Sequence, residues 1–251
     1  MSRQLLRQIW GNPDCLVLIF IGSSAEFALN PAVDWLFYTG KLPADPLGRF
    51  ASTVAYSQRL VFAPSEESEQ RAVRQIKCNH TALEERRGQA MPPIAYRDVL
   101  LMTMEYGLRA YELVFGRKLS ADEQTSLIAT QAAMWADVLP IELPHDSVAF
   151  RSMREEQFGR FVYSEWSTKL LAALRRANGA AGYAILETGF ALMADPRITR
   201  MLGVRRRRLD WPRRVWEFMG RQPRLKRRLL RRALPAETFA ILHRYEEKDK
   251  G

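Results

Sequence analysis

The 251-residue chain has little cysteine, little histidine and almost no β-strand signal. Its two cysteines, Cys15 and Cys78, form no CxxC pair. That argues against a disulfide framework and for a reducing, cytoplasmic setting. Both thiols are expected as small buried hydrophobes, the usual state of a free cysteine. Alternation of apolar with polar residues and β-branched enrichment are nearly absent, which argues against a sheet. There is no GxSxG, which removes the usual signature of a serine nucleophile. No strand precedes the AxxGxxG-like stretch ending at Gly182, so it does not read as a phosphate loop. Gly and Pro stand at ordinary levels, and neither repeats nor long low-complexity segments occur.

Long hydrophobic runs are missing too. Arg3 and Arg7 precede CLVLIFIG (Cys15 to Gly22), which superficially resembles a signal peptide. The run starts late, and the following SSAEFA has a Glu within a poor cleavage site. It also falls far short of the ~20 apolar residues that a membrane span requires. It is expected as a core helix.

What the chain does have is a hydrophobic fraction of 47%, sufficient for one well-buried core. The expected fold is a single all-α domain over residues 1–251. Charge is unevenly spread: residues 201–235 hold thirteen Lys or Arg against two acids, a net of +11, which leaves the remainder at −1. Trp211 and Trp216 are interleaved with these cations, which suits an interfacial amphipathic helix on an anionic membrane. The same cluster suits nucleic-acid phosphates non-specifically. One functional hypothesis is therefore a non-catalytic all-α protein that binds membrane or nucleic acid through this segment. A solvated basic surface helix reads equally well.

Helix punctuation is dense. Asn12-Pro13 opens a helix running to about Leu29, and Asn30-Pro31 opens PAVDWLFYT, stopped by Gly40. KLPADP is a turn, with Asp45 capping the next helix, which ends near Ala63-Pro64. Ser65 caps a helix through His80 to about Arg87, with Glu66, Glu67 and Glu69 at its positive end and Gly88 as its stop. A long buried helix follows and closes at Gly116, then Ser120 and Glu123 form a capping box for a helix ending before Pro140. SVAFRSMREEQFGRFVY is amphipathic, WSTKLLAALRRA ends at Asn178-Gly179, and AAGYAILETGFALMA stops at Asp195-Pro196. WPRRVWEFMG, PRLKRRLLRRAL and PAETFAILHRYEE complete the chain as short helices.

Of three histidines, His145 lies in the loop LPHD and His243 near the acidic C-terminal tail. His80 differs: it sits mid-helix on a face shared with Val73, Ile76 and Leu83. Taken alone, such a residue is commonly a hydrogen-bonded core histidine. No second ligand stands at a zinc spacing. A single histidine can instead ligate a cofactor that brings its own equatorial donors, as haem does. Arg49 and Thr53, four apart on the preceding helix, could then serve a propionate, since arginine binds carboxylates through a charge-assisted fork. From spacing alone, a surface ion pair and a solvated threonine account for them as well.

The run LVLIFIGSSAEFALNPAVDWLFYTGKLPADPLGRFASTVAYSQRLVFAP, followed by AVRQIKCNHTAL and AYELVFGRKLSADE, resembles the MpaB/rubber-oxygenase catalytic-domain family over roughly residues 16–158. That resemblance implies an all-α fold holding one haem b. Family members include latex-clearing proteins, which cleave polyisoprene double bonds with O₂, and a fungal enzyme that oxidatively cleaves a farnesyl side chain. Carried over, His80 matches the proximal haem and iron ligand, and Arg49 and Thr53 match the Arg and Thr of the haem-pocket helix. Three departures stand out. VLLMTM, with Thr103, replaces the family's WVHAT. Ser52 stands where rubber-cleaving members can place a lysine. Asp34 is the only acid in PAVDWLFYT that could match their proposed base, so the catalytic residue is unassigned. The implied activity is a haem-dependent oxygenase with O₂ and a small apolar, isoprenoid-like substrate as partners and no specific nucleic acid. Peripheral association with an anionic membrane is compatible with it.

Overall fold

The computed structural model describes residues 2–38, 45–136, 141–204, 227–228, 231 and 236–246. Every regular element among them is helical. In order these are α1 (Ser2–Gly11), α2 (Pro13–Phe27), a 3₁₀ turn (Pro31–Asp34), α3 (Trp35–Tyr38), α4 (Pro46–Val61), α5 (Glu66–Arg87), α6 (Pro93–Phe115), α7 (Ala121–Ala133), α8 (Ser147–Phe158), α9 (Glu165–Met193), α10 (Pro196–Met201) and α11 (Ala236–Leu242).

The caps sit where the sequence puts them. Asn12 Oδ1 accepts from the backbone N–H groups of Asp14 and Cys15, and Asn30 Oδ1 from that of Ala32. Asp45, Ser65 and Ser120 cap α4, α5 and α7 through Gly48, Ser68 and Glu123, and the Ser120–Glu123 box is reciprocal. Each such cap is worth about 1 kcal/mol. Gly88 ends α5 with φ 66°, a left-handed geometry that glycine adopts without Cβ strain. Gly179, at φ 66° and ψ 175°, breaks α9 where the sequence reading separates two helices.

Some boundaries differ from the sequence reading. PAVDWLFYT is not one α-helix: it opens as the 3₁₀ turn and only then becomes α3. α8 stops at Phe158 rather than reaching Tyr163. α1 was not expected at all, although Leu5, Leu6, Ile9 and Trp10 form a helical stripe and all are buried. Cys15 is buried, as expected, but Cys78 is exposed because it lies on the outer side of α5. The Gly40 stop and most of the basic segment lie outside the described residues.

α2 is the central helix. It packs on α1, α6, α9 and α10 and buries Cys15, Leu16, Leu18 and Ala25 completely. Burying one such leucine stabilises by roughly 1.5–3 kcal/mol. Two glycines let its neighbours come close. A Cβ on Gly22 of α2 would lie 2.1 Å from a ring carbon of Tyr106 on α6, and one on Gly189 of α9 would lie 2.7 Å from Ile21. Tyr106 cannot swing aside freely, because its ring is buried and its hydroxyl donates to Glu26 at 2.9 Å. Gly22→Ala should therefore lower stability near the top of the about 1–3 kcal/mol range for overpacking, read as a lower urea midpoint with unchanged slope.

Candidate functional site

The site is built on α4, α5 and the start of α6. α4 buries Phe50, Ala51, Val54, Leu60 and Val61, which turns Arg49, Thr53 and Tyr56 outward on one exposed stripe. That stripe borders α5: Asn79 donates to the Tyr56 hydroxyl at 3.3 Å. The Thr53 hydroxyl donates back to the carbonyl of Arg49 at 3.1 Å, so it must rotate to reach a ligand.

α5 packs on α4 and buries Val73, with Ile76, His80 and Leu83 half-buried along the same face. His80 Nδ1 is buried and has no hydrogen-bond partner among the described residues. Buried polar nitrogens are seldom left unpaired, which makes this one a candidate ligand atom. Burial, first, and the nearby positive charge of Arg49, second, depress protonation of the imidazole, while Glu84 opposes them. These influences favour the neutral ring, the form that ligates a metal. The structure brings Arg49 and His80 into electrostatic range of each other. A haem iron on the imidazole with a propionate toward Arg49 is chemically consistent with this donor set.

Beside His80, Tyr96 of α6 sets its ring centroid 5.1 Å from that of the imidazole, at 30°. The Tyr96 hydroxyl donates to Glu84 Oε1 at 2.8 Å, and the Met91 backbone N–H donates to the same oxygen at 2.9 Å. Burial and the Glu84 carboxylate hold the Tyr96 hydroxyl well above the ordinary tyrosine range.

The other sequence candidates go elsewhere. Asp34 accepts from Arg87 Nη2 at 2.6 Å, and that guanidinium lies 3.9 Å from the Trp35 ring centroid, so this carboxylate is committed to an ion pair. The Thr103 hydroxyl donates to the carbonyl of Val99. His145 is exposed beside Asp146. His243 stacks on Phe239, with Nδ1 2.9 Å from the Phe239 carbonyl oxygen.

One cluster escaped the sequence reading. Glu26 of α2 is fully buried, and both its oxygens are engaged: Arg154 of α8 spans them, Gln157 donates to Oε1 and Tyr106 to Oε2. Asp98 of α6 accepts from Arg160 at 2.6 Å and from Asn30 at 3.3 Å beside it. With every lone-pair direction of Glu26 facing a donor, this cluster holds three helices together and does not present a free base. An acid at the far end of the apolar α2, away from the dipole-favoured first turn that holds Asp14, was its signal, since a buried charge requires a partner.

Among the described residues, no helix is long and apolar enough to cross a membrane. No individual curated protein matches the chain. The family model described as "ER-bound oxygenase mpaB/B'/Rubber oxygenase, catalytic domain" matches residues 17–225, well beyond the stretch in which the motifs are legible. With a match over most of its length, and with the all-α architecture the motifs imply, this chain belongs to the MpaB/rubber-oxygenase catalytic-domain family.

Proposed function

We propose that the protein is a haem-b-dependent oxygenase that uses O₂ to cleave a C=C bond in an apolar, isoprenoid-like substrate. One O₂ and one alkene balance as two carbonyls, so the overall reaction requires no external reductant. The observation that carries the reading is the half-buried His80, whose Nδ1 has no hydrogen-bond partner among the described residues, in a chain of an oxygenase family. When bound, haem would supply the redox-active iron at which O₂ reacts. His80 would ligate the iron, Arg49 would pair with a propionate, and Thr53 would offer a hydroxyl on the same stripe as Arg49. The test is to incubate the haem-loaded protein with a dispersed oligoisoprene under ¹⁸O₂. Labelled carbonyl at both new chain ends is expected, and unchanged substrate with haem fully loaded would refute the cleavage.

The exposure of Arg49 sets the size of its effect. A charge-assisted hydrogen bond contributes about 1.5–3 kcal/mol when shielded, but an exposed pair contributes only about 0–1 kcal/mol. Arg49→Ala should therefore weaken haem affinity by no more than several-fold, measured by transfer to apomyoglobin. Arg49→Lys should recover part of that, because it keeps the charge and loses the fork.

A second reading is compatible with the first and rests on the C-terminal cations. Exposed Arg227, Arg228 and Arg231 line, together with Phe239, an open cleft of about 300 Å³. An apolar substrate would reside in a bilayer, and each cation near an anionic leaflet is worth about 1 kcal/mol. The protein should co-sediment with vesicles containing phosphatidylserine at low salt and release as salt rises. Reversing the charge at Arg227 and Arg228 should weaken binding by tenfold or more. Binding to duplex DNA in strong preference to vesicles would favour the nucleic-acid alternative.

A further inference from the structure

Tyr96 is held at both ends. Its ring rests against the His80 imidazole, and its hydroxyl is anchored on Glu84, one helical turn beyond His80. Glu84 is itself fixed by a second donor, the Met91 backbone N–H, in the loop that leads into α6. The three side chains therefore form a closed triangle between α5 and α6: His80 and Glu84 at i and i+4 on one helix, and Tyr96 bridging them from the next. A tilted ring at 5.1 Å leaves the imidazole less room to rotate about its χ2 torsion, a torsion that is otherwise broad. The partner that orients a ligating histidine commonly accepts a hydrogen bond from the N–H of its second nitrogen. Here the orienting group beside the ring is aromatic, and the hydrogen bond lies one residue further out.

We propose that Tyr96 and Glu84 are positioning residues for His80. Tyr96 fixes the plane of the imidazole, and Glu84 fixes Tyr96. This rests on the reading of His80 as the axial haem ligand. Their effect passes through the orientation of one ring and thus through the bond that ring would make to the iron.

The test is resonance Raman spectroscopy of the full-length, haem-loaded ferrous protein, reading the iron–histidine stretching band, with haem transfer to apomyoglobin alongside. The parent is expected to give one narrow band. Tyr96→Leu should shift and broaden it and speed haem loss at least tenfold. Tyr96→Phe keeps the ring but loses the anchor, and should broaden the band less. Glu84→Ala should resemble Tyr96→Phe, whereas Glu84→Gln keeps an acceptor oxygen and should restore a near-parent band. A purely structural role, stapling the loop at Met91, would lower the melting temperature of these variants and leave the band unmoved, and that result overturns the proposal while the haem assignment stands. If Tyr96→Leu does not fold, Tyr96→Phe decides: a broadened band supports the proposal and a parent-like band overturns it. A parent with no haem, or His80→Ala with an unchanged band, overturns both the assignment of His80 and the inference built on it.

Discussion

His80→Ala is expected to leave a colourless protein after haem supplementation and gel filtration, while its helical circular dichroism matches the parent. The substitution removes the axial donor of the proposed site. It costs the fold little, because His80 is half-buried and its Nδ1 makes no hydrogen bond. Substitutions without a buried network to break typically fall within about 1 kcal/mol. The contrast between total haem loss and near-parent stability is the signature of a ligand. Haem retained with an unchanged spectrum would move the ligand elsewhere, with His243 next to be tested. That residue is engaged with the Phe239 carbonyl and ring, so it would first have to leave those contacts.

The second large effect is on stability. Arg154→Ala should destabilise by about 3–5 kcal/mol, because it strands the fully buried Glu26 carboxylate. Against the roughly 5–15 kcal/mol of a typical domain, this is enough to threaten folding at 37 °C. Tyr106→Phe removes one donor to the same carboxylate and should cost only about 1–3 kcal/mol. The double variant Glu26→Leu with Arg154→Met should recover only part of the loss, since an apolar pair can replace a buried ion pair at little cost but leaves the buried Tyr106 hydroxyl without its acceptor. Urea denaturation separates these outcomes. Equal stability of Arg154→Ala and the parent would show that Glu26 finds other donors.

Features set by neighbours in the chain were legible in the sequence. Asn12, Asn30, Asp45, Ser65 and Ser120 cap helices because their side chains reach backbone N–H groups only two or three residues away. The apolar stripe that turns Val73, Ile76, His80 and Leu83 to one side of α5 follows from helical periodicity alone. The family is likewise legible in ordered local motifs, and the match to residues 17–225 bears that out.

Features set by tertiary packing were not. Periodicity puts Arg49 and Thr53 on one face but cannot say what that face meets. It is exposed, bordering α5 through Tyr56 and Asn79. Cys78 was expected inside on residue type, yet among the described residues the face of α5 that carries Val73 is the covered one, and Cys78 is exposed. The Glu26–Arg154 pair joins residues 128 positions apart, a separation no window of sequence can span. Tyr96 and Glu84 are nearer, but their meeting depends on how the 88–92 loop turns α6 back toward α5.

The central claim is that His80 makes this family member a haem protein. Its most direct test is titration of the purified full-length chain with hemin, followed by absorbance and iron analysis, with His80→Ala in parallel. The account predicts a Soret band that saturates at one equivalent, about one iron per chain, and no saturable band in the variant. A parent that shows no spectral shift on titration and carries no iron after haem-supplemented expression would contradict it.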